Sequence, residues 1–150
     1  MDDKKTKKIC LIVILVSLVV IGICGGIFLG RMISESNFKN SLRDVEEAVK
    51  KSFAGRNSFE VSGHTVYIKI WSDGIMGIAK KAAEGDSKSV TDWNAIKDSV
   101  YLLAGQIYDK FLFVDDIVVY LSYVNDQNPD RDLLVYKNRD LVYDVVQGGD

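Results

Sequence analysis

The chain has 150 residues, of which 47% are hydrophobic and 27% are charged, and its formal net charge is −2. This length allows one folded domain with its own core beside a membrane segment, and it excludes two such domains. Residues 1–8 hold four of the 19 basic residues but only two of the 21 acidic ones, so the rest of the chain is acidic and nucleic acid is not an expected partner.

Residues 9–30 are an uninterrupted apolar segment of 22 residues without a charged side chain. A helix of this length would measure about 33 Å, and the hydrocarbon core of a bilayer is about 30 Å thick. Four lysines precede the segment and only Arg31 follows it closely, so the positive flank is amino-terminal. We therefore predict a single-pass cell-membrane protein with a cytoplasmic tail at residues 1–8, a transmembrane helix at 9–30 and an extracytoplasmic part at 31–150.

A cleaved signal peptide is the alternative interpretation of this segment. Signal peptides usually have an apolar region of about 7–15 residues, which is shorter than this one. No A-x-A-like cleavage site follows, although Gly25 and Gly26 are small. Bacterial lipoproteins have a small residue before the modified cysteine, whereas Ile23 precedes Cys24 here. The length therefore favours an uncleaved anchor, and cleavage stays open.

Three glycines recur every four residues in the apolar segment, at Gly22, Gly26 and Gly30. On one face of a helix they would let a second helix approach closely, which predicts helix–helix packing and a homodimer through this face. The alternative is that glycine is simply common in membrane helices.

The segment 31–57 has the pattern of an amphipathic helix or stalk. Its apolar residues follow one another at steps of three and four, and Ala54-Gly55 ends the pattern. We expect this stripe to pack on its own domain rather than on the identical helix of a second copy. The stripe consists of Phe38, Leu42, Val45, Val49 and Phe53.

The remainder, residues 58–150, alternates between strand and helix patterns. We predict an α+β fold, a two-layer sandwich in which helices cover one face of a roughly four-stranded sheet. Asp73 is the expected cap of the first helix, and Ser89 with Asp92 resembles a capping box for the second. In chain order the pattern predicts a brief strand at 59–61, a strand at 64–72, helices at 75–84 and 89–111, a strand at 117–124, a loop at 125–132, and strands at 133–136 and 141–146.

The extracytoplasmic part lacks a recognisable catalytic set. Both cysteines, Cys10 and Cys24, lie in the apolar segment, so no thiol nucleophile remains. His64 is the only histidine, and no G-x-S-x-G motif surrounds a serine. The adjacent acids Asp115 and Asp116 stand at a predicted helix-to-strand junction, where solubilising carboxylates are common. We therefore expect a protein that is not an enzyme.

Four oxygen-bearing side chains alternate in the predicted loop at 125–132. Calcium-binding loops use such spacing to surround a cation with oxygens, so Asp126, Asn128, Asp130 and Asp132 are a weak calcium candidate. The loop departs from an EF-hand at the turn glycine, at the stiff proline and at the last ligand, where Arg131, Pro129 and Lys137 stand. The alternative is a solvated loop of turn-forming residues, and no other cofactor is expected.

Four aromatic residues lie on the predicted strands: Tyr67, Trp71, Tyr120 and Tyr123. Those that face away from the helices would form an exposed binding surface, because tyrosine and tryptophan are favoured at interfaces. The alternative is a second apolar layer covered by the helix at 35–54.

Several stretches together resemble a group of small exported bacterial proteins held at the membrane by one amino-terminal helix or by a lipid. They are YIKIWSDG at 67–74, the long helix with Trp93-Asn94, YVND at 123–126, LLVY at 133–136 and LVYDVV at 141–146. The resemblance covers residues 64–146. It implies a location and a fold, but no activity.

The apolar helix followed by an amphipathic helix and a sheet also resembles type IV pilin-like proteins. Their leader ends in glycine before phenylalanine, and a glutamate stands five residues into the mature helix. Here Lys8 precedes Ile9, and Val13 occupies the fifth position. A pilin-like structural subunit is therefore an alternative that lacks the processing residues.

The leading hypothesis is a membrane-tethered, extracytoplasmic and non-enzymatic module that binds another protein or an envelope component. The principal alternative is an accessory hydrolase built on carboxylates, with Asp115, Asp116, Asp126 and Asp130 as its candidate residues.

Overall fold

The computed structural model describes residues 34–148. The predicted cytoplasmic tail, the predicted transmembrane helix at 9–30 and its glycines Gly22, Gly26 and Gly30 lie outside the described residues. Among residues 34–148, no helix combines the length and the apolar character needed to cross a bilayer.

The described chain is α+β, as predicted, and contains three helices and five strands. The helices are α1 (Ser34–Ser52), α2 (Ile75–Ala83) and α3 (Ser87–Asp109). The strands are β1 (Asn57–Ser62), β2 (Thr65–Ile70), β3 (Val118–Asn125), β4 (Asn128–Lys137) and β5 (Asp140–Asp144).

All five strands join one mixed sheet whose spatial order, β1-β2-β3-β4-β5, follows the chain. Only β2 and β3 are parallel, and the other neighbours pair antiparallel. A parallel pair needs a crossover of about a dozen residues or more, and α2 with α3 supplies it. The sheet is therefore a crossover unit with one hairpin strand added on one side and two on the other.

The core lies on the face of the sheet that the helices cover. Val66, Ile68 and Ile70 of β2 are fully buried, and they stand directly opposite Val119, Leu121 and Tyr123 of β3. Helices α2 and α3 add a buried stripe to the same cluster: Ile75, Ala79, Ala82, Trp93, Ile96, Val100, Leu103 and Ile107.

Helix α1 packs against this same core, as its stripe predicts. Val45, Val49 and Phe53 are buried in the cluster. Near its amino end, the Phe38 ring lies 6.1 Å from that of Phe111, and the Ser41 hydroxyl donates to the Lys110 carbonyl at 2.8 Å. Because α1 lies with α2 and α3, it does not cover the opposite face of the sheet.

The predicted loop at 125–132 is instead a tight hairpin, and the sheet has five strands rather than about four. Strand β4 begins at Asn128, which pairs with Asn125 across a two-residue turn. Pro129 marks a loop in sequence, but it lies in the half of β4 that precedes the pairing with β5 at 134–137. Its missing N–H therefore removes no bond between those two strands.

Both predicted helix caps are wrong in detail. Helix α3 starts two residues earlier than Ser89, because the Asp86 carboxylate accepts from the Ser89 backbone N–H at 2.9 Å and from its hydroxyl at 2.6 Å. Helix α2 is preceded by Gly74 with φ 81°, and Asp73 instead forms an ion pair with Arg56 at 2.7 Å. At both helix starts a residue close in sequence takes the capping position that was predicted for another, Asp86 instead of Ser89 and Gly74 instead of Asp73.

A buried carboxylate joins the end of the sheet to α3. Asp144, 5% exposed, accepts from the Trp93 indole N–H, from the Lys97 ammonium and from the Val146 backbone N–H, each at 3.0 Å. Both carboxylate oxygens thus have donors, which is the condition for burying a charge at acceptable cost.

We expect Asp144→Ala to lower the free energy of unfolding by about 3 kcal/mol, because the Trp93 and Lys97 donors would stay buried without an acceptor. Asp144→Asn keeps an acceptor for the Trp93 indole N–H, so its free energy of unfolding should fall less than that of Asp144→Ala. Urea unfolding measures both. Glu46→Ala, which breaks the exposed Glu46–Lys50 pair, is the control and should lose at most about 0.5 kcal/mol. Equal losses for the two alanine variants would contradict the role of Asp144.

The Asp86 cap predicts a pH-dependent contribution to stability. The Ser89 hydroxyl, and then its backbone N–H, lower the pKa of Asp86 from its ordinary value of 3.8. A lowered folded-state pKa stabilises the protein above pH 3.8, and this contribution is lost as the pH falls through the folded-state pKa. Asp86→Ala should therefore lower Tm at neutral pH, and its difference from the wild type should shrink in acid.

Asp86→Asn is the matched control in these melting curves, because asparagine caps a helix without titrating. Its Tm should stay near that of the wild type at neutral pH. A difference between Asp86→Ala and the wild type that is unchanged from neutral pH to well below pH 3.8 would contradict the cap.

Candidate functional site

The face of the sheet opposite the helices carries one row of side chains across four strands. Glu60, Tyr67, Tyr120 and Lys137 stand directly opposite one another in the pairing of β1 with β2, β2 with β3, and β3 with β4. We call these four residues the tyrosine row. Tyr67 lies on the face opposite Val66 and Ile68, as the period-two alternation of a strand requires.

The two tyrosines at the centre of the row form a stacked pair. Their ring centroids are 5.3 Å apart and the rings are within 4° of parallel. Tyr67 remains 41% exposed. Parallel strand pairing places the two side chains side by side, and the stacking holds them in fixed orientations, so little rotamer freedom would be lost on contact with a partner.

Charged groups lie on both sides of the stacked pair, and Asp140 of β5 stands directly opposite Lys137. The Lys137 ammonium lies 5.9 Å from the centre of the Tyr120 ring, within the range of a cation–π contact. Glu60 is exposed on the other side of the pair, on the edge strand β1. An aromatic centre with charged ends resembles the apolar core and polar rim of protein interfaces. Sequence reasoning missed Glu60 and Lys137, because only the strand register aligns them with the tyrosines.

The β3–β4 hairpin limits this surface on one side. Lys69, on the same face as Tyr67, donates to the Pro129 carbonyl at 3.3 Å and lies 3.9 Å from the Asp130 carboxylate. The hairpin therefore lies against the face near Lys69, and the tyrosine row stays open on the side toward the start of β2.

The other two predicted binding aromatics lie elsewhere. Tyr123 is fully buried on the helix face, and its hydroxyl shares a hydrogen bond with the Ser72 hydroxyl. Burial raises the pKa of Tyr123 to about 12, so it is neutral at physiological pH. Trp71 is half-buried, and with Tyr123, Phe53 and Arg56 it lines a cleft of about 260 Å³. Of the four predicted binding aromatics, Tyr67 and Tyr120 thus lie in the tyrosine row, and Trp71 and Tyr123 line the cleft.

The candidate calcium residues have other partners in the hairpin. Asp126 accepts from the Gly74 backbone N–H at 2.8 Å, just before α2, and Asn128 accepts from the Asp130 N–H at 3.2 Å. Asp132 lies in β4 opposite Val124. Within residues 34–148, no group of three or more histidine, cysteine or acidic side chains is placed to hold a metal ion.

Two buried carboxylate oxygens of this hairpin remain without a hydrogen bond in the described structure, Oδ1 of Asp126 and Oδ1 of Asp132. Calcium in proteins takes about six to eight oxygen ligands. The four residues alternate because they belong to the β3–β4 hairpin, and calcium binding here stays a prediction.

The other polar residues considered for catalysis, His64, Asp115 and Asp116, lie in a packing contact or in a turn. His64 is exposed, and its ring makes an edge contact with Phe38 at 5.5 Å. Asp115 and Asp116 are exposed in the connection from α3 to β3, where Asp116 has φ 58° and forms the turn. Aspartate tolerates this left-handed conformation better than most residues, which accounts for its place there.

No protein family, characterised protein or solved structure matches the chain.

We expect Asp126→Ala to lower the free energy of unfolding by about 1 kcal/mol, because the Gly74 N–H at the start of α2 loses its acceptor. The loss should be the same with and without millimolar calcium chloride, measured by urea unfolding. Gln127→Ala, at an exposed position of the same turn, is the matched control and should leave the free energy of unfolding nearly unchanged. A calcium-dependent rise in wild-type stability that disappears in Asp126→Ala would instead support the metal hypothesis.

Proposed function

We propose that this chain is a single-pass, membrane-anchored extracytoplasmic protein whose folded domain binds another protein or an envelope component. The apolar segment 9–30 with its lysine-rich amino flank supports the anchor and the orientation. The tyrosine row is the observation that supports the binding role. The resemblance to small tethered exported proteins accords with the proposed location only.

The shape of the open face favours a large partner over a small molecule. Small-molecule sites are concave and enclose most of their ligand. The tyrosine row instead lies on a strand surface that no described helix covers, and four strands at about 4.8 Å spacing extend it over about 14 Å. A flat or gently convex partner surface would contact all four side chains at once.

The composition of the row also fits reversible recognition. Tyrosine is enriched among the residues that carry binding energy, because it offers a large rigid surface with a hydroxyl at its tip. Glu60 and Lys137 flank the tyrosines, and Asp140 stands opposite Lys137, so a partner with complementary charges at these positions would be favoured. The binding surface would then consist of Glu60, Tyr67, Tyr120 and Lys137.

The carboxylates considered for hydrolysis give that alternative no support. Asp126 is engaged at the start of α2, Asp130 lies near Lys69, and Asp115 and Asp116 belong to a turn at the opposite end of β3. Paired acid and base carboxylates would have to face one substrate position. These four come from opposite ends of one strand.

A photo-crosslinking amino acid at Tyr67, in the full chain in its native membrane, should give a discrete adduct on irradiation. The same amino acid at Tyr101 is the matched control, because Tyr101 is a comparably exposed aromatic, 50% exposed, on α3. We expect the Tyr67 adduct to weaken at least several-fold when Tyr120→Ala removes the stacked partner.

Adduct formation is read by gel shift, and the adduct is identified by mass spectrometry. Adducts of equal yield and pattern at Tyr67 and Tyr101 would show nonspecific contact and would contradict a binding role for the open face. Protease added to intact cells tests the topology separately, since an extracytoplasmic domain should be cleaved while cytoplasmic markers stay intact.

A further inference from the structure

Two adjacent large apolar side chains project from the connection between α3 and β3. Leu112 is 56% exposed and Phe113 is 65% exposed, the highest value for a large hydrophobic residue in the described chain. Their neighbours Phe111 and Val114 are buried and fix the connection to the core. Exposed apolar side chains on an anchored loop are typical of contact sites.

This connection lies at the same end of the domain as the start of α1. Phe38, in the first turns of α1, contacts both Phe111 and His64, and Ser41 donates to Lys110. The opposite end of α1, at Phe53, lines the cleft with Trp71 beyond the far end of β2. Helix α1 therefore runs the length of the sheet, and the chain enters the domain beside Leu112 and Phe113.

Chain length limits how far this end can lie from the apolar segment. Four residue steps separate Gly30 from Ser34, which can span at most about 14 Å when fully extended. Phe38 is a further ~6 Å along α1. The headgroup region adds about 5–8 Å on each side of a hydrocarbon core. With residues 9–30 across the bilayer, the α3–β3 connection lies within reach of the membrane surface.

We propose that Leu112 and Phe113 insert into the interfacial layer of the bilayer and hold this end of the domain against it. The proposal rests on the proposed membrane anchor. Apolar side chains enter the boundary between headgroups and acyl chains to a depth of about 5–10 Å. The contact would point the Trp71 end of the sheet away from the membrane.

The charges near this connection select the kind of lipid surface. Asp115 and Asp116 follow Phe113 and are both exposed, and the Arg139 guanidinium is engaged by Asp109. Lys110 precedes the apolar pair, and the two exposed acids that follow the pair outnumber it at this connection. We expect insertion into a neutral phosphatidylcholine bilayer, without a gain from added anionic lipid.

The test uses the full chain reconstituted in phosphatidylcholine vesicles with brominated acyl chains, which quench nearby tryptophan. Phe113→Trp adds a tryptophan at the connection to the native Trp71 and Trp93, whose quenching in the wild type is the baseline. Gln127→Trp, at the exposed β3–β4 turn beyond the far end of β3, is the matched control. Leu112→Trp is an independent second position.

The added emission of Phe113→Trp and Leu112→Trp should fall about twofold in brominated vesicles, while that of Gln127→Trp should match the wild-type baseline. Equal quenching at positions 113 and 127 would overturn the insertion. A blue-shifted emission at position 113 without bromine quenching would overturn it in favour of protein contact.

Flotation of the vesicles separates the two proposals. Full chain that floats with the vesicles but shows no quenching at position 113 would overturn the insertion alone. Chain that fails to float would overturn both the anchor and the insertion.

Discussion

The parallel pairing of β2 with β3 is the constraint on which the rest of this domain depends. Adjacent parallel strands cannot be joined by a tight turn, so the chain must cross the sheet between Ile70 and Val118. Helices α2 and α3 make that crossing on one face. The fully buried residues of β2 and β3 then define the core, and α1 packs on the same side. The other face stays uncovered by any described helix.

This asymmetry gives the two faces different roles. On the covered face, the buried polar groups serve packing, as at Asp144, whose carboxylate joins the last strand to Trp93 and Lys97 of α3. On the open face, the same strand register aligns an acid, two stacked tyrosines and a lysine. One backbone arrangement thus determines both the hydrophobic core and the surface proposed for binding.

The sequence was most informative where one local pattern dominates. The stripe of α1 was evident from Phe38 to Phe53, because its helical spacing predicts one apolar face. A turn was expected between the predicted strands at 133–136 and 141–146, and Asn138 forms it with the left-handed φ of 58° that asparagine tolerates. Sequence was less informative where two local signals compete. Asp86 and Ser89 are both good caps, and only the bonds that Ser89 donates to Asp86 decide which residue begins α3.

The candidate site residues were also hard to place from sequence wherever one pattern fits two structures. Alternating oxygen side chains at 126–132 are typical of a cation loop and of a strand, and the hairpin pairing places residues 128–132 in a strand. Tyr67, Trp71, Tyr120 and Tyr123 share strand positions in sequence, yet only two of them meet on the open face. The Gly74 N–H donates to Asp126, 52 residues away, and a local sequence pattern cannot predict such a contact.

By itself, the sequence determined the α+β class, the amphipathic α1 and the absence of cysteine from residues 34–148, because periodicity and composition are local properties of the chain. Only the tertiary structure decided which face stays open, which aromatics meet there, and which end of the domain carries exposed Leu112 and Phe113. These depend on strand register and on the side of the sheet that the crossover takes, and both are fixed by contacts between residues far apart in sequence.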